Sequence, residues 1–332
     1  MSEYLNISEI EFPAFLLNAP LSMSADIPNN CLMEKRSAEQ RRVDRPKALR
    51  QFHELYSFLC SQAIVYLLPS HPGLQDQPSV SNLGVVLPHL SEDTVVVSRF
   101  RTEPRIREAA VGMDFFRLMN FTCYRPPEYL SGRFVPESAT EWSDSDRRIY
   151  FEGEADLKYI KDNLYVGAYG MRTSRSAHFW FSKSFDMEII PVRIRDERLF
   201  HLDCCLLPVT ANIMVACTEV LDQKTLRRME NVVEIIDVPI DAAAFGITNS
   251  LLLDRYFLYS SDIDELSKTD PDYPIEVAKI NLLEKISCRL NREPVMFNLT
   301  EFYKSGAALS CLLMCLNYTH YTHAMSVKST AA

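Results

Sequence analysis

Short runs rich in Val and Ile recur along the chain, at residues 63–68, 83–87, 94–97, 164–166, 188–192, 213–216 and 233–236. Runs this short and this β-branched predict buried strands. Between them lie stretches with helical periodicity. Over residues 45–62, Leu49, Phe52, Leu55, Tyr56 and Leu59 fall on one helix face, and over 275–290 Val277, Ile280, Leu283 and Ile286 do the same. This alternation predicts an α/β or α+β chain built from several repeats of similar grammar. At 332 residues the chain is long enough for one large domain or two ordinary ones.

Composition narrows the partners. A net charge of -9, with 47% hydrophobic and 24% charged residues, describes a soluble, mildly acidic protein with no basic footprint for nucleic acid. Glu3, Glu9 and Glu11 stand where a secretory leader would carry basic and apolar residues, so a cytoplasmic location is expected. The apolar stretch 306–316 is well short of the ~20 residues a membrane-crossing helix needs, and Ser310 interrupts it, so no membrane partner is expected. Nine cysteines, an odd number without regular spacing, read as reduced thiols. Neither Cys204-Cys205 nor the Cys311, Cys315 pair forms the knuckle of a structural zinc site, and the seven histidines are scattered, so no metal is expected. Four Asn-x-Ser/Thr tripeptides, at Asn6, Asn120, Asn298 and Asn317, carry no glycosylation reading without a leader.

Residues 125–147, with Pro126-Pro127, Ser131-Gly132, Pro136 and Ser143 to Asp146, are polar and turn-rich. They read equally as a linker or as a surface excursion within one domain. Residues 321–332 lack an apolar period and are expected to form a flexible tail.

Three polar sites stand out. Cys311 follows a small-residue turn, Ser305-Gly306-Ala307-Ala308-Leu309-Ser310. His201 is followed two residues later by Asp203, a spacing that on a strand puts both on one face. Glu152 opens the run Glu152-Gly153-Glu154-Ala155-Asp156. A thiol with a remote His and remote carboxylates is the pattern of a cysteine nucleophile with helpers. Each also has a plainer reading: Cys311 as a core residue, the role assigned to Cys315; His201 as a structural histidine; Glu152 as a solvated turn residue. His178, His320 and His323 are tied to no thiol or carboxylate and read as structural.

These sites occur with Leu74 to Asn82, Ser98 to Glu108 and Tyr169-Gly170-Met171-Arg172-Thr173-Ser174 in an order that resembles the guanidine-modifying enzymes of the pentein superfamily. The chain is similar to relatives of dimethylarginine dimethylaminohydrolase, arginine deiminase, the arginine dihydrolases and the amidinotransferases, from about residue 60 to the end. The resemblance implies an α/β pseudo-fivefold propeller of ββαβ modules around a central channel, with residues 1–320 as a single catalytic domain. It implies Cys311 as nucleophile, His201 as general acid and base, and Glu152 as the carboxylate that binds the guanidinium and orients the histidine. Asp203 resembles the carboxylate that grips the remaining guanidinium nitrogens. Asp76, Asn82, Arg105 and Arg172 match positions that contact substrate or shape its pocket, while Arg99, Arg101 and Arg107 read as structural. For Arg105 and Arg172 the plainer reading is a solvated surface ion pair.

The residue types suit the chemistry. Two carboxylates can hold the N–H edges of a planar guanidinium in paired, charge-assisted hydrogen bonds, and a thiolate is favoured beside a cationic substrate. No metal or organic cofactor is implied. Asn82 stands where hydrolase relatives often carry Asp, and in this it resembles arginine dihydrolases, which remove both terminal nitrogens. Glu154-Ala155 and Ala307-Ala308 fill positions the family often gives to Gly. The expected function is a cysteine hydrolase of arginine or an N-substituted arginine, with a small guanidino substrate as partner and a homo-oligomer compatible with the family. Alternatives are an amidinotransferase and a non-catalytic pentein resembling the ribosome anti-association factor.

Overall fold

The structure is a computed structural model and describes residues 5–136 and 141–323. It is α/β, with fifteen strands in five three-stranded sheets. Four sheets share one plan, an antiparallel hairpin followed by a helix and a third strand that returns parallel to the second. They are β3 (Gly84–Val86), β4 (Thr94–Val97) and β5 (Thr122–Tyr124); β6 (Leu157–Lys161), β7 (Leu164–Tyr169) and β8 (Glu188–Arg193); β9 (Leu206–Thr210), β10 (Ile213–Ala216) and β11 (Glu234–Asp237); and β12 (Leu251–Leu253), β13 (Tyr256–Ser260) and β14 (Glu293–Phe297). A parallel return needs a long crossover, and the helices Glu108–Leu118, Arg175–Phe185, Gln223–Glu230 and Tyr273–Arg289 supply it. Asp162 and Asp254, at φ 48 and 50, turn the tight β6–β7 and β12–β13 hairpins, a left-handed conformation that Asp tolerates.

The fifth sheet joins the two ends of the chain. β1 (Ala14–Leu17) runs antiparallel to β15 (Met314–Cys315) and parallel to β2 (Ile64–Leu67), with the helix Arg45–Cys60 as its crossover. Asn317 fastens this junction, its Oδ1 accepting from the Ala14 amide at 3.0 Å and its Nδ2 donating to the Phe12 carbonyl at 3.0 Å. The same ββαβ order therefore appears five times. Buried aliphatic and aromatic side chains between helices and sheets form the core, with Phe116, Phe181, Leu283 and Leu55 each less than 1% exposed on four of the crossover helices.

The 125–147 segment is pinned at both ends. The Leu130 amide donates to the Arg147 carbonyl and the Ile149 amide to the Glu128 carbonyl, each at 2.8 Å, and Leu130 and Ile149 are buried. Beyond the tail's first residues, which close a short helix at Thr319–His323, the expected 321–332 tail lies outside the described residues. Among the described residues no helix is long and apolar enough to cross a membrane.

One expected element is corrected. His201 and Asp203 do not lie on a strand: His201 is extended, and Leu202–Cys204 form a 3-10 turn. The Leu202 amide donates to the Asp156 carboxylate at 3.1 Å and the Cys204 amide folds back onto the His201 carbonyl at 3.2 Å, so neither is free for a neighbouring strand.

Candidate active site

Each module's first strand is preceded by a short turn, and the polar residues of interest sit in those turns. Asn82 precedes β3, Glu152 precedes β6, His201 and Asp203 precede β9, Asn249 precedes β12 and Cys311 precedes β15. Equivalent places in five repeats thus contribute to one buried cluster, which explains why residues so far apart in sequence meet.

Two tight approaches hold the turns together. Gly153 has φ +64, and a Cβ there would lie 2.4 Å from the Ser81 carbonyl oxygen and 2.6 Å from the Asn82 carbonyl carbon, so only Gly lets Glu152 sit beside Asn82. Gly306 has φ +83, and a Cβ there would meet the Asn30 side chain at 3.0 Å. These two positions need Gly; Ala155 and Ala307, in places the family often gives to Gly, are accommodated as buried Ala.

Glu152 is fully buried. Its Oε2 lies 2.9 Å from His201 Nε2, Arg172 Nη1 stands 3.5 Å from both carboxylate oxygens, and the Arg101 amide donates at 3.4 Å. Burial works against the charge, but Arg172 and then His201 outweigh it and hold the carboxyl down at about 2. Glu152 is therefore an anion with a cation on each side of it when His201 is protonated. The side-chain amide of Asn82 also faces His201 Nε2, at 3.2 Å.

Asp156 ties the turns of Glu152 and His201. Its Oδ1 accepts from the Leu202 amide, and its Oδ2 accepts at 2.6 Å from the Thr173 hydroxyl, whose oxygen accepts from the Glu152 amide at 3.2 Å. Burial pushes the Asp156 carboxyl up to about 6 despite these donors and His201.

Asp203, 1% exposed, turns away from His201 and toward the thiol. Its Oδ2 lies 3.7 Å from Cys311 Sγ and accepts from the Ser310 hydroxyl at 3.1 Å. Cys311 is itself buried and sits in the turn Ser310–Leu312. Burial and then Asp203 push its thiol up to about 12, against smaller opposing effects that include Asn249 and the Lys158 ammonium.

The remaining expected residues form the wall. Asp76 accepts from Asn29 Nδ2 at 2.7 Å and Gln75 Nε2 at 3.0 Å, and burial raises its carboxyl even though Arg105 opposes this. Neither arginine is a surface ion pair. Arg105, 4% exposed, forks onto Glu108 through Nε and Nη2 and also donates to the Asp76 and Ser79 carbonyls. Arg172, 8% exposed, divides its guanidinium between Glu152 and the Asn29 carbonyl and lies over the Phe200 ring. Arg99, Arg101 and Arg107 each donate to a backbone carbonyl, of Pro126, Met171 and Gly73. His178 lies elsewhere, its Nε2 donating to the Ala168 carbonyl at 2.9 Å, and burial lowers it to about 4. Cys315 is buried in the β15 strand.

Beside Cys311 is a cavity of about 20 Å³, lined by Asp76, Asn82, Arg105, Arg172, His201 and the N-terminal Asn29-Asn30 pair, among others. That is room for about one water. Sequence reasoning missed Asn29, Asn30, Asp156 and Asn249. The Asn residues belong to loops without periodicity; Asp156 was visible only as the last residue of the Glu152 run. Among the described residues no group of three His, Cys, Asp or Glu side chains is placed to hold a metal ion.

No protein-family model matches the chain. The bifunctional arginine dihydrolase/ornithine cyclodeaminase AgrE of Nostoc sp. is 26% identical over 305 residues, which cover 90% of this chain and 37% of that protein. The chain thus spans little more than a third of the length of this relative. The crystal structure of the N-terminal domain of ArgZ, an arginine dihydrolase from cyanobacteria, is similar with a TM-score of 0.74 at 22% identity, over 92% of this chain and 97% of that one. A crystal structure of dimethylarginine dimethylaminohydrolase, as an adduct with S-methyl-L-thiocitrulline, is similar with a TM-score of 0.65 at 14% identity, over 92% of this chain and 99% of that one. In sequence and in fold the chain resembles the pentein guanidine-modifying enzymes.

Proposed function

We propose that the protein is a cysteine-dependent hydrolase of the guanidinium group of arginine or an N-substituted arginine, with residues 1–320 as its catalytic unit. The observation that carries this reading is the convergence of Cys311, Asp203, His201 and Glu152 in one buried cluster, of which Cys311 and His201 line a cavity. Two carboxylates in a buried site, one against the thiol and one against the histidine, are arranged to take a planar cation between them. Similarity to proteins named arginine dihydrolase favours arginine as the substrate.

The steps follow from the groups. As the guanidinium enters, its charge offsets Asp203, and the Cys311 thiol gives its proton to His201, leaving a thiolate and an imidazolium. Sulfur attacks the guanidinium carbon, and His201, as imidazolium, gives its proton to the nitrogen that leaves as ammonia or amine. The product of this half-reaction is a thiouronium on Cys311. Water then attacks the same carbon, giving one proton to His201 and its second to solvent, where the released ammonia takes it up; the C–S bond breaks, and the sulfur leaves with its electron pair and recovers its proton from His201. Glu152, ionised throughout, steadies His201 in both halves. The released product is citrulline, and a second passage through the same groups would carry it to ornithine.

Ligand pockets commonly enclose about 300–1,000 Å³. A cavity of about 20 Å³, with Asn29 and Asn30 in its lining, must therefore widen to admit substrate. Incubating the protein with arginine, with and without glycine or lysine, tests the reading. Ammonia with citrulline or ornithine in the absence of an added amine supports hydrolysis, whereas product that requires the added amine identifies an amidinotransferase.

A further inference from the structure

Asn249 stands in the turn before β12, in the place that Asn82, Glu152, His201 with Asp203, and Cys311 take in the other modules, and the resemblance gives it no role. It is 2% exposed, its own amide donates to the Gly246 carbonyl at 3.0 Å, and Gly246 takes φ +83. Its Oδ1 accepts from the Ser310 amide at 2.9 Å. That bond fixes which way the carboxamide faces, and its Nδ2 then points at Cys311 Sγ, 3.3 Å away. Cys311 lines the cavity while neither Asn249 nor Asp203 does, so both side chains meet the sulfur from outside that lining.

Sulfur therefore sits between two polar neighbours of opposite character. Asp203 Oδ2, at 3.7 Å, is an acceptor and favours the thiol; Asn249 Nδ2, at 3.3 Å, is a donor and favours the thiolate, and is nearer the sulfur than Asn249 Oδ1, at 3.7 Å. The other charged group acting on the sulfur is Lys158, buried beside Glu154, and the Cys204 thiol also stands against Asp203, at 3.7 Å from Oδ1. A guanidinium entering the cavity beside Cys311 offsets the Asp203 charge but leaves the amide donor in place.

We infer that Asn249 is the positioning residue for the nucleophile: its side-chain amide donates to the Cys311 thiolate from outside the cavity lining and aims the sulfur's free lone pair into the cavity. This rests on the reading of Cys311 as nucleophile, and extends it by naming the group that holds the anion when the substrate has cancelled Asp203. No new bond order is required of Asn249. It keeps its hydrogen bond through attack and recovers it at full strength when the C–S bond breaks.

The test is labelling by iodoacetamide, followed on the Cys311 peptide by mass spectrometry so that the other eight cysteines do not contribute. Loss of a hydrogen bond to an anion is worth about a tenfold to hundredfold change in thiolate population. Asn249→Ala is expected to slow Cys311 labelling at pH 8 by at least about tenfold and to lower kcat for arginine while changing KM little. Asn249→Asp keeps an acceptor for the Ser310 amide but removes the donor, so a fold-supporting role predicts near-normal labelling, and the present inference predicts labelling slower than in the alanine variant. Labelling of Cys311 in both variants at the rate of the unsubstituted protein would overturn the inference and leave the hydrolase reading standing. Arginine turnover undiminished in Cys311→Ser would sink both. If the alanine variant does not fold, the aspartate variant alone decides.

Discussion

Asp203 and Cys311 face each other across 3.7 Å, carboxylate oxygen to sulfur, and both are buried. A carboxylate in that position is the wrong neighbour for a resident thiolate, since it helps burial push the thiol up to about 12. It is the right neighbour for a cation. On the proposed reading the pairing keeps the sulfur protonated until a positively charged group enters, and so links reactivity to occupancy.

Replacing Asp203 separates the two effects. Asp203→Asn is expected to speed iodoacetamide labelling of Cys311 at pH 8, by about tenfold for each pKa unit the thiol falls. Arginine turnover should move the other way, with KM raised by about tenfold to hundredfold through loss of a charge-assisted bond. Steady-state kinetics beside the labelling assay checks both. A variant slower in labelling than the parent contradicts the account.

Arg172 sets the acid limb of stability through Glu152. The Glu152 carboxyl lies at about 2 in the folded protein, below its ordinary value of 4.5, so the ionised form stabilises the fold fully above pH 4.5, and this contribution fades as pH falls toward 2. A depression of that size corresponds to about 3 kcal/mol. Arg172→Met should remove most of that pH dependence and cost about 3–5 kcal/mol near neutrality, because a buried charge loses its partner. Urea unfolding from pH 7 to 2 measures both the loss and the flattened slope.

Gly153→Ala should be far more damaging than Gly132→Ala, although both residues have positive φ. At Gly132 no atom lies within 4 Å of a new methyl, and the cost is backbone strain of about 1 kcal/mol. At Gly153 the methyl would meet the Ser81 carbonyl at 2.4 Å, pushing apart the turns of Glu152 and Asn82, for a loss above about 3 kcal/mol. Thermal unfolding of the two variants compares them directly.

Tight packing made part of the fold readable. The apolar runs at 94–97 and 213–216 coincide with β4 and β10, and the helical spacing over 45–62 and 275–290 with the helices Arg45–Cys60 and Tyr273–Arg289, because in each case a buried face imposes its period on the chain. β14 left no such trace: Glu293, Pro294 and Met296 are exposed on it, and only its pairing with β13 makes it a strand. Within the site, residue type marked Cys311, His201 and Glu152, but the turn at 201–204 was hidden because it depends on Asp156, whose carboxylate reaches Leu202 from another module. Asn249 was hidden for the same reason, 62 positions from the sulfur it touches. Contacts between modules leave no periodic signal along the chain.

The central claim is that Cys311 attacks a guanidinium carbon. Mixing the protein with arginine, quenching with acid within the first turnover and mapping the modified peptide by mass spectrometry tests it directly. The account predicts an arginine-derived adduct, less one ammonia, on Cys311, and its absence from Cys311→Ser. Ammonia release by the parent with no adduct on Cys311, or release undiminished in Cys311→Ser, would contradict it.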